Sequence, residues 1–357
     1  MNTIINTTHF TTRMLTNEQL ATVRRLLMES KNPLFFHDDD PDGLSSFLLL
    51  YKKYQKGHGS VVKTVSYIDQ NSLHRVMEYH PDLIVILDVP VVEQDFLDNV
   101  NVPVIWIDHH QPLERNNVIY VNPRIQDIDA YIPTTRMAYQ ITEKKEDMWV
   151  AMAGCLGDYY LPDFTEEFAK KHPHLLQENQ TIDQAKFGNL VGKLPQIMSF
   201  LLKGRISDVK KHIKILTRVK DADELFNSKT SQARYVMKRY KLLVQPYNNL
   251  LERARKTKPE GNLVLFMYAS DEHSFTSELS NELAFYFPDN VVIVAREKDG
   301  EMRCSIRGNK KNILDPLTEA LKGLDGNGGG HQVACGAGVN VNDWPEFLKR
   351  FKELIVD

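Results

Sequence analysis

Four acidic or imidazole stretches of this sequence carry side chains able to act together. Asp38-Asp39-Asp40-Pro41-Asp42-Gly43 crowds its carboxylates into one short segment. Asp88 follows the apolar run Leu83–Leu87, Asp108-His109-His110 follows Val104–Ile107, and Asp158 follows Gly157. Carboxylates packed this closely repel one another unless a cation neutralises them. Asp38 and Asp40 alternate, so in extended backbone they point the same way. With Asp42, Asp88, His109 and Asp158 they make a mixed oxygen and nitrogen donor set. Such a set suits Mn²⁺ or Mg²⁺ better than a thiolate-preferring structural metal. Carboxylate-rich sites with several ligands often hold two ions that share one Asp, bind phosphate oxygens and lower the pKa of a water. The expected chemistry is hydrolysis of a phosphate ester by in-line attack.

Each stretch alone has a plainer reading. The first could be a solvated turn or a calcium loop, although the glutamate an EF-hand needs at loop position twelve would fall on Leu49. Asp108-His109-His110 alone is as consistent with a structural or surface role. The joint occurrence of these residues after successive strands is what favours one metal site. A further constellation, Gly326-Asn327-Gly328-Gly329-Gly330-His331, admits an anion-binding reading. Glycines let backbone amides approach a phosphate, and a histidine adds a proton or a charge. The competing reading is a tight connection between strand and helix. Arg303 and Arg307 alternate to one face of an expected strand and suit a phosphate or a base, or are ordinary surface charge.

The elements that must position these residues follow from hydrophobic periodicity. Thr16 to Gln19 signals a helix N-terminus before Leu20, Val23, Leu26 and Leu27. Leu34-Phe35-Phe36, Val61–Tyr67, Leu83–Leu87 and Val104–Ile107 read as strands, separated by helices over Gly43–Lys56, Leu73–Tyr79 and Val91–Val100. Gly57 and Gly59 are expected to stop the first of these helices. Apolar, non-alternating strands alternating with helices predict a parallel sheet covered on both faces. From Pro133 the pattern becomes helical: Thr134–Thr142, Asp147–Leu156, then Thr165 to about Val219 with interruptions. A long basic helix over Gln232–Lys258, with Pro246 as an expected kink, precedes a second βα pattern from Leu263. The expected fold is α/β with two domains: an N-terminal parallel-sheet domain over 1–200, a helical connector over 201–258 and a smaller C-terminal α/β domain over 259–357.

At 357 residues the chain is long for one core. The net charge of −3 excludes a globally basic nucleic-acid binder but not a local basic channel. Cys155, Cys304 and Cys335 are far apart, which argues against a zinc ribbon or a disulfide framework and suits a reducing cytoplasm. Residues 1–12 are rich in Thr and Asn and do not read as a signal peptide. No window approaches the roughly 20 apolar residues of a membrane span. A soluble, cytoplasmic protein without a membrane partner is expected.

In order along the chain, these motifs resemble the DHH phosphoesterases. Asp38-x-Asp40-x-Asp42-Gly43 is similar to the first motif, Asp88 to the second, Asp108-His109-His110 to the third and Gly157-Asp158 to the fourth. Gly328-Gly329-Gly330-His331-x-x-Ala334-x-Gly336 resembles the signature of the DHH-associated C-terminal domain. The resemblance implies that Asp38, Asp40, Asp88, His109 and Asp158 bind a pair of Mn²⁺ ions, or Mg²⁺ in their place, with Asp88 bridging. It also implies that His110 faces the scissile phosphate while Asp108 orients a ligand, and Asp42 is counted with them as catalytic. In the family the C-terminal domain binds substrate across a cleft, which points to Arg307, Gly329, Gly330 and His331, with Arg303 less favoured. Many members carry a histidine four residues before the first aspartate. Here that position is Leu34, a departure that bears on the first metal.

The leading expectation is a Mn²⁺-dependent phosphodiesterase of RecJ-like or nanoRNase-like type, acting on single-stranded or short oligonucleotides. Short substrates are favoured because no OB-like domain is recognised and the charge is near neutral. Hydrolysis of cyclic dinucleotides or of 3′-phosphoadenosine 5′-phosphate is an alternative, and a catalytically silent replication scaffold is another. The sequence identifies no protein partner and admits a homodimer.

Overall fold

The computed structural model describes residues 14–63, 67–269, 273–309 and 311–355. The Thr/Asn-rich stretch 1–12 and part of the strand expected over Val61–Tyr67 lie outside the described residues. The chain forms two units. One holds the described residues through Leu202 together with Ile206–Met237, and the other holds Lys203–Arg205 together with the residues from Lys238 onward.

In the first unit the apolar runs become strands: β1 (Pro33–Asp38), β2 (His58–Val62), β3 (Tyr67–Ile68), β4 (Leu83–Leu87), β5 (Val91–Val92), β6 (Val104–Ile107) and β7 (Ile119–Val121). The main sheet has the order β2-β1-β4-β6-β7 and every pairing in it is parallel, while β3 and β5 pair separately. Strands β4 and β6 are buried throughout, as a sheet covered on both faces requires. His37 pairs with Leu87, Leu87 with Ile107 and Ile107 with Val121, so these strands end level. That register sets Asp38, Asp88 and Asp108 along one carboxyl-terminal edge, where open parallel sheets bind ligands.

The helices of this unit are α1 (Asn17–Glu29), α2 (Pro41–Tyr54), α3 (Leu73–Tyr79), α4 (Gln94–Asp98), α5 (Thr134–Thr142), α6 (Met148–Gly157), α7 (Thr165–Lys171), α8 (Lys193–Leu202), α9 (Ile206–Leu216) and α10 (Ala222–Phe226). Thr16 caps α1 reciprocally with Gln19, as its sequence signal predicts. The chain then enters α11 (Ser231–Ala254), which is continuous through Pro246 and passes from the first unit into the second.

The second unit contains β8 (Leu263–Tyr268), β9 (Val291–Lys298), β10 (Glu301–Arg307), β11 (Gly326–His331) and β12 (Ala334–Asn340), in the order β11-β12-β10-β9-β8. Helices α12 (Thr276–Tyr286), α13 (Leu314–Ala320) and α14 (Trp344–Leu354) accompany it. Its core joins Val291, Ile293, Ile306, Leu317, Phe347 and Phe351.

Several local expectations are corrected. Helix α2 begins at Pro41 rather than Gly43, because proline at the first helical position and Asp40 as N-cap make a strong start. Asp42 therefore belongs to a helical turn. Gly59 does not stop that helix; the helix ends at Gln55 in the left-handed conformation, and Gly59 lies inside β2. The helix expected over Val91–Val100 is a two-residue strand followed by the short α4. The glycine run is itself a strand, β11, paired with a β12 that glycine content had hidden. Among the described residues, no helix is long and apolar enough to cross a membrane.

Candidate metal centre

The acidic segment turns sharply from β1 into α2, and Gly43 makes the turn feasible. A Cβ there would lie 2.7 Å from the backbone nitrogen of Asp38. The backbone nitrogen of Gly43 donates to Asp40 Oδ1 at 2.8 Å, so one Asp serves as the helix cap. Asp42, fully buried, accepts from Thr134 N at 2.8 Å and Thr135 N at 2.7 Å. These are orphan amides at the N-terminus of α5, where a carboxylate is favoured. Asp42 thereby ties α2 to α5.

Asp88 leaves β4 with φ +61°, an unusual conformation for a non-glycine residue that re-aims its carboxylate at the sheet edge. Its Oδ1 accepts from Thr134 Oγ1 at 3.2 Å and lies 3.3 Å from His109 Nε2. The same His109 nitrogen is 3.2 Å from Asp158 Oδ2 and 4.0 Å from Asp42 Oδ2. Three overlapping clusters result, with donor atoms within 4.8 Å of one another: Asp38, Asp40 and Asp88; Asp88, His109 and His110; and Asp42, His109 and Asp158. Asp88 and His109 are the shared members.

Asp158 ends α6. Tyr131 Oη donates to its carbonyl at 2.7 Å, and Lys186 Nζ donates to the carbonyls of Leu156 at 2.7 Å and Gly157 at 2.9 Å. A cation at the last carbonyls of a helix is favourable. Beside β6, buried Asp108 holds His110 twice, by His110 N to Oδ2 at 3.0 Å and by Nδ1 to Oδ1 at 2.8 Å. Asn122 steadies this pair through Nδ2 to Asp108 Oδ2 at 3.3 Å and to the His110 carbonyl at 3.0 Å.

Burial first, and then neighbouring carboxylates, push Asp42, Asp88 and Asp158 well above the ordinary carboxylate range. His109 is lowered by burial and by the charge of His110, which keeps its ring neutral and able to donate a lone pair. His110 behaves oppositely. Burial works to lower it, but the hydrogen bond and charge of Asp108 dominate in sum and raise it to about 9. Carboxylates strained by mutual repulsion, a neutral imidazole and hard oxygen donors fit divalent cations. An imidazolium stands beside them.

Four contributors escaped the sequence reading: Thr134, Asn122, Tyr131 and Lys186. Two had weak signals. Thr134-Thr135 after Pro133 marks a helix start, and Asn122 ends a short apolar run as the acidic residues do. Leu34 packs with Phe36, Ile84 and Trp106 in the apolar core. His37 stacks on Phe47, with ring centroids 5.1 Å apart.

In the second unit, Arg307 is anchored internally: Nε to Asn281 Oδ1 at 2.5 Å, Nη1 to the Ile306 carbonyl at 2.8 Å and Nη2 to Ser277 Oγ at 3.2 Å. Arg303 pairs with Glu301 at 2.7 Å. Gly329, Gly330 and His331 lie on the edge strand β11. The two glycines differ. Gly330 has φ +141° and a Cβ there would meet Ala334 O at 2.4 Å, whereas a Cβ at Gly329 would meet nothing within 4 Å. Among the described residues, no atom lies close enough to require glycine at 329. Gly329→Ala should therefore leave the melting temperature unchanged while Gly330→Ala lowers it by several degrees, from a strain of roughly 1–3 kcal/mol. A thermal melt of both variants checks this, and equal melting temperatures would contradict it.

A model described as the DHH family, N-terminal domain, matches residues 34–157, and one described as the DHHA1 domain matches residues 263–357. No curated protein matches the chain by sequence. Among solved structures, RecJ from Thermus thermophilus in complex with Mn²⁺ is similar at TM-score 0.68 and 15% identity, covering 94% of this chain and 54% of that one. This chain thus spans about half the length of that protein. The DHH domain of a member of a family of ribosomal proteins is similar at TM-score 0.65 and 15% identity, covering 95% of this chain and 89% of the other. An exonuclease RecJ bound to manganese follows at TM-score 0.57 and 15% identity, covering 94% and 93%. These likenesses show the fold.

Proposed function

Since the chain belongs to the DHH family of phosphoesterases and carries a DHHA1 domain behind its metal-centre domain, we propose that it is a divalent-metal-dependent phosphodiesterase acting on single-stranded or short oligonucleotides. The observation that carries the reading is Asp88, shared between a carboxylate cluster with Asp38 and Asp40 and an imidazole cluster with His109 and His110. One carboxylate common to two donor groups is the arrangement that two adjacent cations need.

Asp38, Asp40, Asp88, His109 and Asp158 would hold the ions, and the oxygen and nitrogen mixture favours Mn²⁺ over Mg²⁺. Bound there, the ions would polarise a phosphate and acidify the attacking water. His110, kept protonated by Asp108, places a positive charge and a donor where negative charge develops on the phosphate oxygens. Asp108 and Asn122 fix its ring. Asp42 acts by holding α2 against α5, so that Asp40 and Thr134 stay in place. The side-chain-free edge at Gly329, with His331, offers a surface for a substrate phosphate in the second unit. RecJ structures bound to Mn²⁺ and to Mg²⁺ are in keeping with a divalent ion. The net charge of −3 gives little support for tracking a long strand. A cytoplasmic location accords with three free cysteines.

The test is a substrate panel with Mn²⁺: 5′- and 3′-labelled DNA and RNA of graded length, beside a cyclic dinucleotide and 3′-phosphoadenosine 5′-phosphate. We expect cleavage of short strands that EDTA abolishes and added Mn²⁺ restores. Turnover of the small molecules alone, or of nothing, would overturn the proposal. In the absence of substrate, Mn²⁺ should also raise the melting temperature of EDTA-treated protein, because a ligand bound only by the folded state stabilises it.

A further inference from the structure

The segment between β7 and α5 carries exposed apolar residues. Ile125 is 56% exposed, Ile128 51% and Tyr131 40%. Tyr131 lies near the end of this segment, before Ile132 and Pro133. Its hydroxyl is committed to the carbonyl of Asp158 at 2.7 Å, and its ring centroid lies 5.5 Å from that of His109, with planes tilted by 57°. The side chain is therefore tied by its hydroxyl to Asp158 and lies against His109, while the residue stays partly exposed. The same hydroxyl also hydrogen-bonds the Asp158 side chain, so it serves to hold that residue. Tyr131 thus combines partial exposure with a ring set against His109 and a hydroxyl set against Asp158.

We propose that Tyr131 is a nucleobase-stacking platform, a specificity-determining residue that selects nucleosidic phosphates at the metal centre. The inference rests on the reading of the centre as a phosphoesterase site and adds the chemical class of the group next to the phosphate. Stacking on an aromatic ring tolerates every base, because every base has a π-face. A side chain already tied by its hydroxyl loses little further entropy when a base stacks on it.

The test is a binding measurement with Mn²⁺ on the full chain, using adenosine 5′-monophosphate and ribose 5-phosphate as probes. Both carry the phosphate, and only one carries a base. The wild type should prefer the nucleotide, Tyr131→Phe should retain that preference, and Tyr131→Ala should lose it by about 10- to 100-fold. Both variants lose the hydroxyl that holds Asp158, so any change in affinity for ribose 5-phosphate should be the same in Tyr131→Phe and Tyr131→Ala, and the ratio between the two probes is the readout. A wild type indifferent to the base, or a Tyr131→Ala variant that keeps the preference, overturns the platform. Equal weakening of both probes in Tyr131→Phe and Tyr131→Ala does so too, because it reduces Tyr131 to a prop for Asp158. Failure of the phosphoesterase reading appears separately, as absent hydrolysis across the oligonucleotide panel with base-dependent binding intact.

Discussion

Asp88→Asn should lower hydrolysis by at least about 10³-fold, or roughly 4 kcal/mol of transition-state stabilisation, and should abolish the Mn²⁺-dependent rise in melting temperature. Asparagine keeps the volume and the oxygen that accepts from Thr134 Oγ1. It removes the charge that two donor clusters share. The same substitution should raise the melting temperature of the metal-free protein. Burial and the carboxylates of Asp42 and Asp40 hold Asp88 above its unfolded pKa. An acid whose folded pKa exceeds its unfolded one costs stability at any pH above the unfolded value, and at neutral pH that cost is present. The variant should thus be inactive, metal-blind and more stable when metal-free, as expected where a site stores repulsion for function. A metal-free melting temperature below that of the wild type would show that Asp88 serves the fold rather than a cation.

His110→Ala should reduce kcat by about 10²- to 10³-fold while leaving the Mn²⁺-dependent stabilisation in place. His110 touches Asp108 through both its backbone and its ring, and that carboxylate overcomes the effect of burial to hold the ring pKa at about 9. In the metal-free protein the ring is an imidazolium below that pH, and the hydrogen bond to Asp108 favours the charged form. A charge worth more to the transition state than to the bound substrate changes kcat more than KM. His110→Gln, which keeps a donor without the charge, should recover only a small part of the loss. The melting temperature separates the roles: loss of Mn²⁺ stabilisation in His110→Ala would make this residue a metal ligand, since its ring also lies among the donors around Asp88. The two substitutions together test whether neighbouring strand-end residues divide binding from charge stabilisation.

The parallel-sheet edge was legible because its determinants are local. Leu83–Leu87 and Val104–Ile107 are runs too apolar for any place but a covered sheet, and parallel strands must end on a common side. Asp88 and the Asp108-His109-His110 triplet are placed by that rule alone. The start of α1 was equally readable, since Thr16 and Gln19 satisfy each other within one turn. The second unit was partly opaque. Its strand β11 is built of glycines, whose intrinsic preference argues against a strand, and only pairing with β12 makes it one.

What the sequence determined by itself is the strand edge on which Asp38, Asp88 and Asp108 lie, because strand burial is a property of short segments. Tertiary structure decided how the donors are held. Asp42 and Thr134 meet across 92 residues, and Tyr131 reaches Asp158 across 27. Arg307 is bound by Ser277 and Asn281, 30 and 26 residues away, so a side chain that reads as a substrate contact is anchored within its own unit. Such pairings depend on which helix packs against which strand end. A hydrogen bond forms where folding brings donor and acceptor within about 3 Å, and no local pattern encodes that meeting.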